Sequence, residues 1–147
     1  MRSHLTTAIE AGASYFSIVF SASVILGTVR VLYLIPALGP WAGLLLELAI
    51  MLAFSWYICR WLIAHLEVLG GARDRLTMGG IAFVLLLAAE LVLSIALLDR
   101  PIAETLQAIA TPQGAWGLLA QIAFATWPLL QVQRGRSAST LEIRQSD

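Results

Sequence analysis

The stretch Gly27-Thr-Val-Arg30-Val-Leu-Tyr-Leu-Ile-Pro36-Ala-Leu-Gly39-Pro40-Trp-Ala-Gly-Leu-Leu-Leu-Glu47 decides how the rest of the chain is read. Pro36, Gly39 and Pro40 interrupt an otherwise apolar run. Proline has no amide proton to continue a helical ladder, and glycine admits backbone angles that other residues avoid. The interruption therefore reads as a turn with a helix on either side. Folding those helices about the turn brings Arg30 and Glu47 to matching depths, roughly eight or nine residues from its centre, or about 13 Å at 1.5 Å per residue. A lone charge at the centre of a bilayer costs on the order of 2.5–3.5 kcal/mol or more, so the two are expected to meet.

Composition points to the bilayer as the surrounding medium. Of the 147 residues, 59% are hydrophobic and 12% are charged, with a mean hydropathy of +0.83. A soluble domain usually carries about twice that charged share. The formal net charge is zero, so nothing in the balance argues for a nucleic-acid partner. Every basic side chain is an arginine. The single Cys59 excludes an intramolecular disulfide and reads as a buried, inert thiol.

Four apolar stretches follow in order, at about 8–35, 41–65, 77–98 and 114–132. Each has the length needed for a hydrocarbon layer of about 30 Å. The first runs past the length of a signal-peptide core and lacks a convincing cleavage site, so it reads as an uncleaved membrane helix. Gly70-Gly71-Ala-Arg73-Asp74-Arg75 separates the second from the third, for which Thr77 is the expected N-cap. Thr111-Pro112 places a capping hydroxyl before a proline at the first helical position of the fourth, and Pro128 is expected to kink or end it. Residues 101–110 carry Ile102, Leu106, Ile109 and Ala110 at helical spacing, which predicts a short amphipathic helix on the outer surface. Residues 133–147, rich in Ser, Arg and Gln, read as a disordered cytoplasmic tail. The fold class expected is therefore all-α, an integral membrane four-helix up-and-down bundle.

Arginine placement sets the orientation. Arg2, Arg73, Arg75, Arg134, Arg136 and Arg144 fall at one end, with Arg60 able to snorkel toward it, whereas the opposite end has Arg100 alone. The positive-inside rule puts both termini in the cytoplasm. Tyr33, Trp41 and Trp116 read as the outer aromatic belt, and Trp56, Tyr57, Trp61 and Trp127 as the inner one.

The depth argument extends to the second pair of helices, where it adds Glu90 and Gln121. Arg30, Glu47, Glu90 and Gln121 are thus expected to share one polar layer facing the interior. With both acids ionised the layer carries a charge of minus one, so one glutamate is expected to hold a proton near neutrality. Two readings stay open. The layer is structural, a guanidinium bridged by carboxylates and an amide that locks helix register. Alternatively it is the working site of a proton-coupled transporter or channel using Glu47 and Glu90, or holds a polar ligand or lipid head group. Ser14, Ser17, Ser21 and Thr28 form a stripe suited to a homo-oligomer or a larger membrane complex, unless they bond their own backbone one turn back.

Other chemistry has little support. His4 and His65 make no ligand spacing with Cys59, there is no glycine-rich phosphate loop, and no Ser, His and Asp share a depth. Glu10 lies near the inner end of the first span, within reach of Arg73 or Arg75 or of solvent. The expectation is a non-enzymatic protein with no metal or cofactor, a subunit or accessory of a larger assembly.

The runs Leu26-Gly27-Thr28-Val29-Arg30, Pro36-Ala37-Leu38-Gly39 and Leu46-Glu47 resemble a four-span family of uncharacterised bacterial inner-membrane proteins. The likeness takes in Arg75 to Glu90 and Gly114 to Pro128, and so nearly all of the chain. It implies a multi-pass protein of the bacterial inner (plasma) membrane and brings no activity, substrate or cofactor. The pattern departs from fluoride channels and small multidrug transporters, whose signatures are those of dual topology. It departs too from disulfide-forming oxidases and quinone reductases, which need cysteine pairs.

Overall fold

The computed structural model describes residues 4–66, 71–98 and 101–145, and all regular structure among them is helical. Helix α1 (His4–Val29) passes through a π-helical turn (Arg30–Leu34) into α2 (Ile35–His65). Then come α3 (Ala72–Leu98), the short α4 (Ile102–Ile109) and α5 (Pro112–Gln145). Arg2, Gly70, Asp99, Arg100, Ser146 and Asp147 lie outside the described residues.

The chain reverses at Gly39, whose φ of 83° and ψ of 168° are open to glycine and strained for other residues. Gly43 lies against Leu34 and Arg30, which is possible only if the chain doubles back between them. Pro40 opens the returning helix, where its missing amide proton costs nothing. Pro36 acts differently from the sequence expectation, because it sits within a continuing helical backbone. In a regular α-helix its ring would meet the carbonyl of Leu32, four residues back. The turn before it is instead widened, with the Ile35 amide bonding to the Arg30 carbonyl five residues back.

Two further expectations are corrected. Thr77 is no N-cap: α3 starts a turn earlier, at Ala72, and the Thr77 hydroxyl donates to the Arg73 carbonyl. Asp74 occupies the first turn of that helix, where a carboxylate complements the helix dipole. Composition led to a disordered tail, yet the backbone of α5 stays helical through Gln145. Beyond Gly135 the segment has no proline and includes Ala138, Leu141, Glu142 and Arg144, all good helix formers. Thr111 does cap α5, accepting a hydrogen bond from the Gly114 amide at 3.1 Å.

The helices pack as two antiparallel hairpins laid side by side. Around the assembly the order is α1, α2, α5, α3, so that α1 neighbours α3 and α2 neighbours α5. The α1–α3 and α2–α5 pairs run parallel. Gly12 near the start of α1 lies against Met78 near the start of α3, and Ser55 and Trp56 of α2 bond Trp127 and Gln131 of α5.

Packing is dense toward one end only. Ala11, Tyr15, Cys59, Leu62, Met78, Ala82 and Phe124 form a buried cluster near the starts of α1 and α3. Toward the end that carries Gly39 and α4, only Gly43, Leu44 and Ser94 are buried among the described side chains. The outer surface is apolar, with Ile25, Leu32, Val84, Val92 and Leu119 all exposed.

Two segments are long and apolar enough to cross a membrane: Leu5–His65, which contains the reversal at Gly39, and Ala72–Ala96. Only 6% and 28% of their most apolar windows are buried, whereas the core helix of a soluble protein is mostly enclosed.

Close approach of α3 and α5 depends on Gly79. A Cβ there would lie 2.1 Å from the Ala125 carbonyl oxygen, whereas one on Gly80 would meet nothing within 4 Å. Gly79→Ala is expected to lower stability by about 1–3 kcal/mol through overpacking. Gly80→Ala should be neutral or slightly stabilising, by up to about 1 kcal/mol of helix propensity. Thermal unfolding of the two variants in detergent, side by side, checks the contrast.

Candidate functional site

The four residues of the expected polar layer come together as two pairs. In the first hairpin Arg30 Nε lies 2.5 Å from Glu47 Oε2, with the arginine side chain 30% exposed and the glutamate 13%. The contact is one of charge more than of hydrogen-bond alignment, since the Nε–H is buried without an aligned acceptor. The π-helical turn begins at Arg30 itself, so the widening that accommodates Pro36 also sets the direction in which the guanidinium leaves the helix. In the second hairpin the Gln121 side-chain amide donates to both oxygens of Glu90, at 2.7 and 2.8 Å.

The pairs do not fuse into one knot. No bond joins Arg30 to Glu90 among the described residues; instead a cavity of about 170 Å³ lies between the hairpins. Glu47, Glu90 and Gln121 line it together with Ser23 and Ser55, and the rest of its wall is apolar, including Phe20, Met51, Leu86 and Phe124. That volume has room for several water molecules. All four long helices contribute to the wall.

The floor of the cavity is built around a proline. Pro128 is fully buried inside α5 and has no amide proton for the carbonyl of Phe124, four residues back. The Tyr15 hydroxyl of α1 donates to that carbonyl at 3.2 Å, and the Tyr15 ring stacks on Phe124 with centroids 4.3 Å apart. The helix diagonally across the assembly thus satisfies the backbone group that the proline leaves open. Beside it, Trp127 Nε1 donates to Ser55 Oγ at 3.1 Å, and Ser55 in turn donates to the Leu52 carbonyl. The Gln131 amide donates to the Trp56 carbonyl at 3.1 Å.

Several of these residues escape the sequence reading. Pro128 within an apolar helix implies an orphaned carbonyl at Phe124, but nothing in the order of residues names Tyr15 as its donor. Trp56 and Trp127, read as an inner aromatic belt, meet edge to face at 4.9 Å and join α2 to α5. Tyr57, Trp61, Tyr33, Trp41 and Trp116 are exposed. Ser17, Ser21 and Thr28 each donate to the carbonyl four residues back, the backbone alternative to an inter-subunit stripe. Cys59 is buried, and His65 stacks on Trp61. No three His, Cys, Asp or Glu side chains come together among the described residues.

Compared with protein-family models, with curated proteins and with solved structures, the chain finds no match.

The Tyr15–Phe124 bond can be separated from the ring stack. Tyr15→Phe should cost about 1 kcal/mol, within the range of a buried side-chain hydrogen bond. In a Pro128→Ala background residue 128 regains its amide proton, and the same substitution should cost less than half as much. A double-mutant cycle followed by thermal unfolding measures the coupling.

Proposed function

We propose that this chain is a small, non-enzymatic integral protein of a bacterial inner membrane. Its four long helices cross the bilayer, and both termini lie in the cytoplasm. Arg30–Glu47 and Glu90–Gln121 are fastenings set within the membrane, and the protein serves as a subunit or accessory of a larger membrane assembly. One observation carries this reading: each polar residue of the layer meets its partner on the antiparallel helix of its own hairpin. Partners at equal depth allow both hairpins to enter hydrocarbon without an isolated charge. The outward-facing apolar surface and the one-sided arginine bias support the location and the orientation.

A specific pattern of stability tests the fastening. Glu47→Leu leaves Arg30 unpaired and should cost about 3–5 kcal/mol, whereas Arg30→Met with Glu47→Leu should recover most of that loss. Equal instability of the single and double variants in a thermal melt would sink the idea. Orientation is read by labelling whole cells with an impermeant maleimide. Leu38→Cys should react from outside and Ser137→Cys only after lysis, with the buried Cys59 as background.

A second reading is favoured by the cavity, because it reaches both Glu47 and Glu90. There the protein is a proton-coupled small transporter or channel, and the two glutamates exchange a proton beside Arg30. Liposomes containing the protein should then pass protons or a coupled solute, and Glu90→Gln should abolish that flux. Under the structural reading flux stays at the level of empty vesicles for both proteins.

A further inference from the structure

We propose that the cavity between the hairpins binds a small organic cation, a protonated or quaternary amine on an apolar body, with Glu90 as its counter-charge. The inference rests on the second reading above and supplies its ligand class.

The charge balance of the cavity is uneven. Glu47 has the Arg30 guanidinium against it and forms a neutral pair. Glu90 is held by a neutral amide alone and faces no cationic side chain among the described residues. The Gln121 amide thus orients the carboxylate and does not neutralise it. A single negative charge beside an otherwise apolar wall selects a monocation over a neutral or anionic solute. The remaining wall suits the body of such a ligand: Phe20, Leu86 and Phe124 line it with apolar side chains and Met51 adapts to irregular shapes.

Access is one-sided. Below the cavity the stacked Tyr15 and Phe124 close the way into the buried cluster. Above it the helices present few buried residues, and Glu90 is exposed. A ligand therefore enters from the end that carries Gly39 and α4.

The test uses the purified full chain in lipid nanodiscs with benzyltrimethylammonium as probe, 2-phenylethanol as the neutral comparison and benzenesulfonate as the anionic one. The cation should bind saturably by calorimetry, with the other two at least about tenfold weaker, and Glu90→Gln should weaken the cation by a similar factor. Gln121 can still hydrogen-bond the amide in that variant, and its thermal melt checks that it is folded. A second measurement does not depend on the variant: the cation, and not 2-phenylethanol, should slow maleimide labelling of Ser23→Cys. Equal binding of cation and neutral probe, no binding of the cation to folded protein, or unchanged affinity in folded Glu90→Gln overturns the proposal. If Ser23→Cys never reacts while Leu38→Cys does, the cavity is closed and the second reading falls with the proposal. Labelling of Ser23→Cys that the cation leaves unchanged overturns the ligand class and leaves the open cavity standing.

Discussion

A polar group surrounded by apolar side chains has to find its partner close by, and this constraint organises the whole structure. The chain is 59% hydrophobic, and several polar side chains in the middle of its long helices are in that position. Arg30 finds Glu47 across the first hairpin and Glu90 finds Gln121 across the second. Tyr15 reaches the carbonyl that Pro128 leaves without a donor, and Trp127 reaches Ser55. The fastenings fall on different helix pairs: α1 with α2, α3 with α5, α1 with α5, and α2 with α5. Between apolar helix surfaces, contact area alone discriminates poorly among arrangements, so such bonds and the close approach at Gly79 select this one.

The fastenings also divide the molecule along its length. Where Tyr15, Phe124, Pro128 and Gly79 meet, small residues and a stacked ring pair leave no room between helices. Beyond that level each hairpin is held by its own polar pair, Arg30 with Glu47 and Glu90 with Gln121. The cavity lies in the gap. Its acids have a double character as a result, because the bonds that stabilise each hairpin also keep two carboxylates at the cavity wall.

How much of this is legible in the sequence depends on how far apart the partners lie from a visible turn. Arg30 and Glu47 flank Gly39 at nearly equal distances, so counting residues is enough to pair them. Glu90 and Gln121 yield to the same count because the break between their helices is marked by Pro101, Thr111 and Pro112. Counting gives depth and says nothing of azimuth, and so four residues at one level read as one knot when they form two pairs around a space. The π-helical turn at Arg30–Leu34 was hidden for a related reason: Pro36 announces a disturbance, but whether the helix breaks or widens depends on what packs against it. Thr77 misled because a threonine ahead of an apolar run also fits one turn inside a helix, bonding backward to Arg73.

From sequence alone came the all-helical character, the long apolar segments, the turn at Gly39 and the depth at which charge is placed. All are properties of the chain read locally, set by hydrophobicity, by helical rise and by the backbone limits of proline and glycine. Which helices become neighbours was decided only in three dimensions. That α1 lies beside α3 rather than α5, that Tyr15 serves Phe124, and that Glu47 and Glu90 share a cavity all depend on side-chain shape across contacts distant in sequence. Apolar helices have no strong preference among faces until a glycine, a ring or a hydrogen bond fits one face and no other.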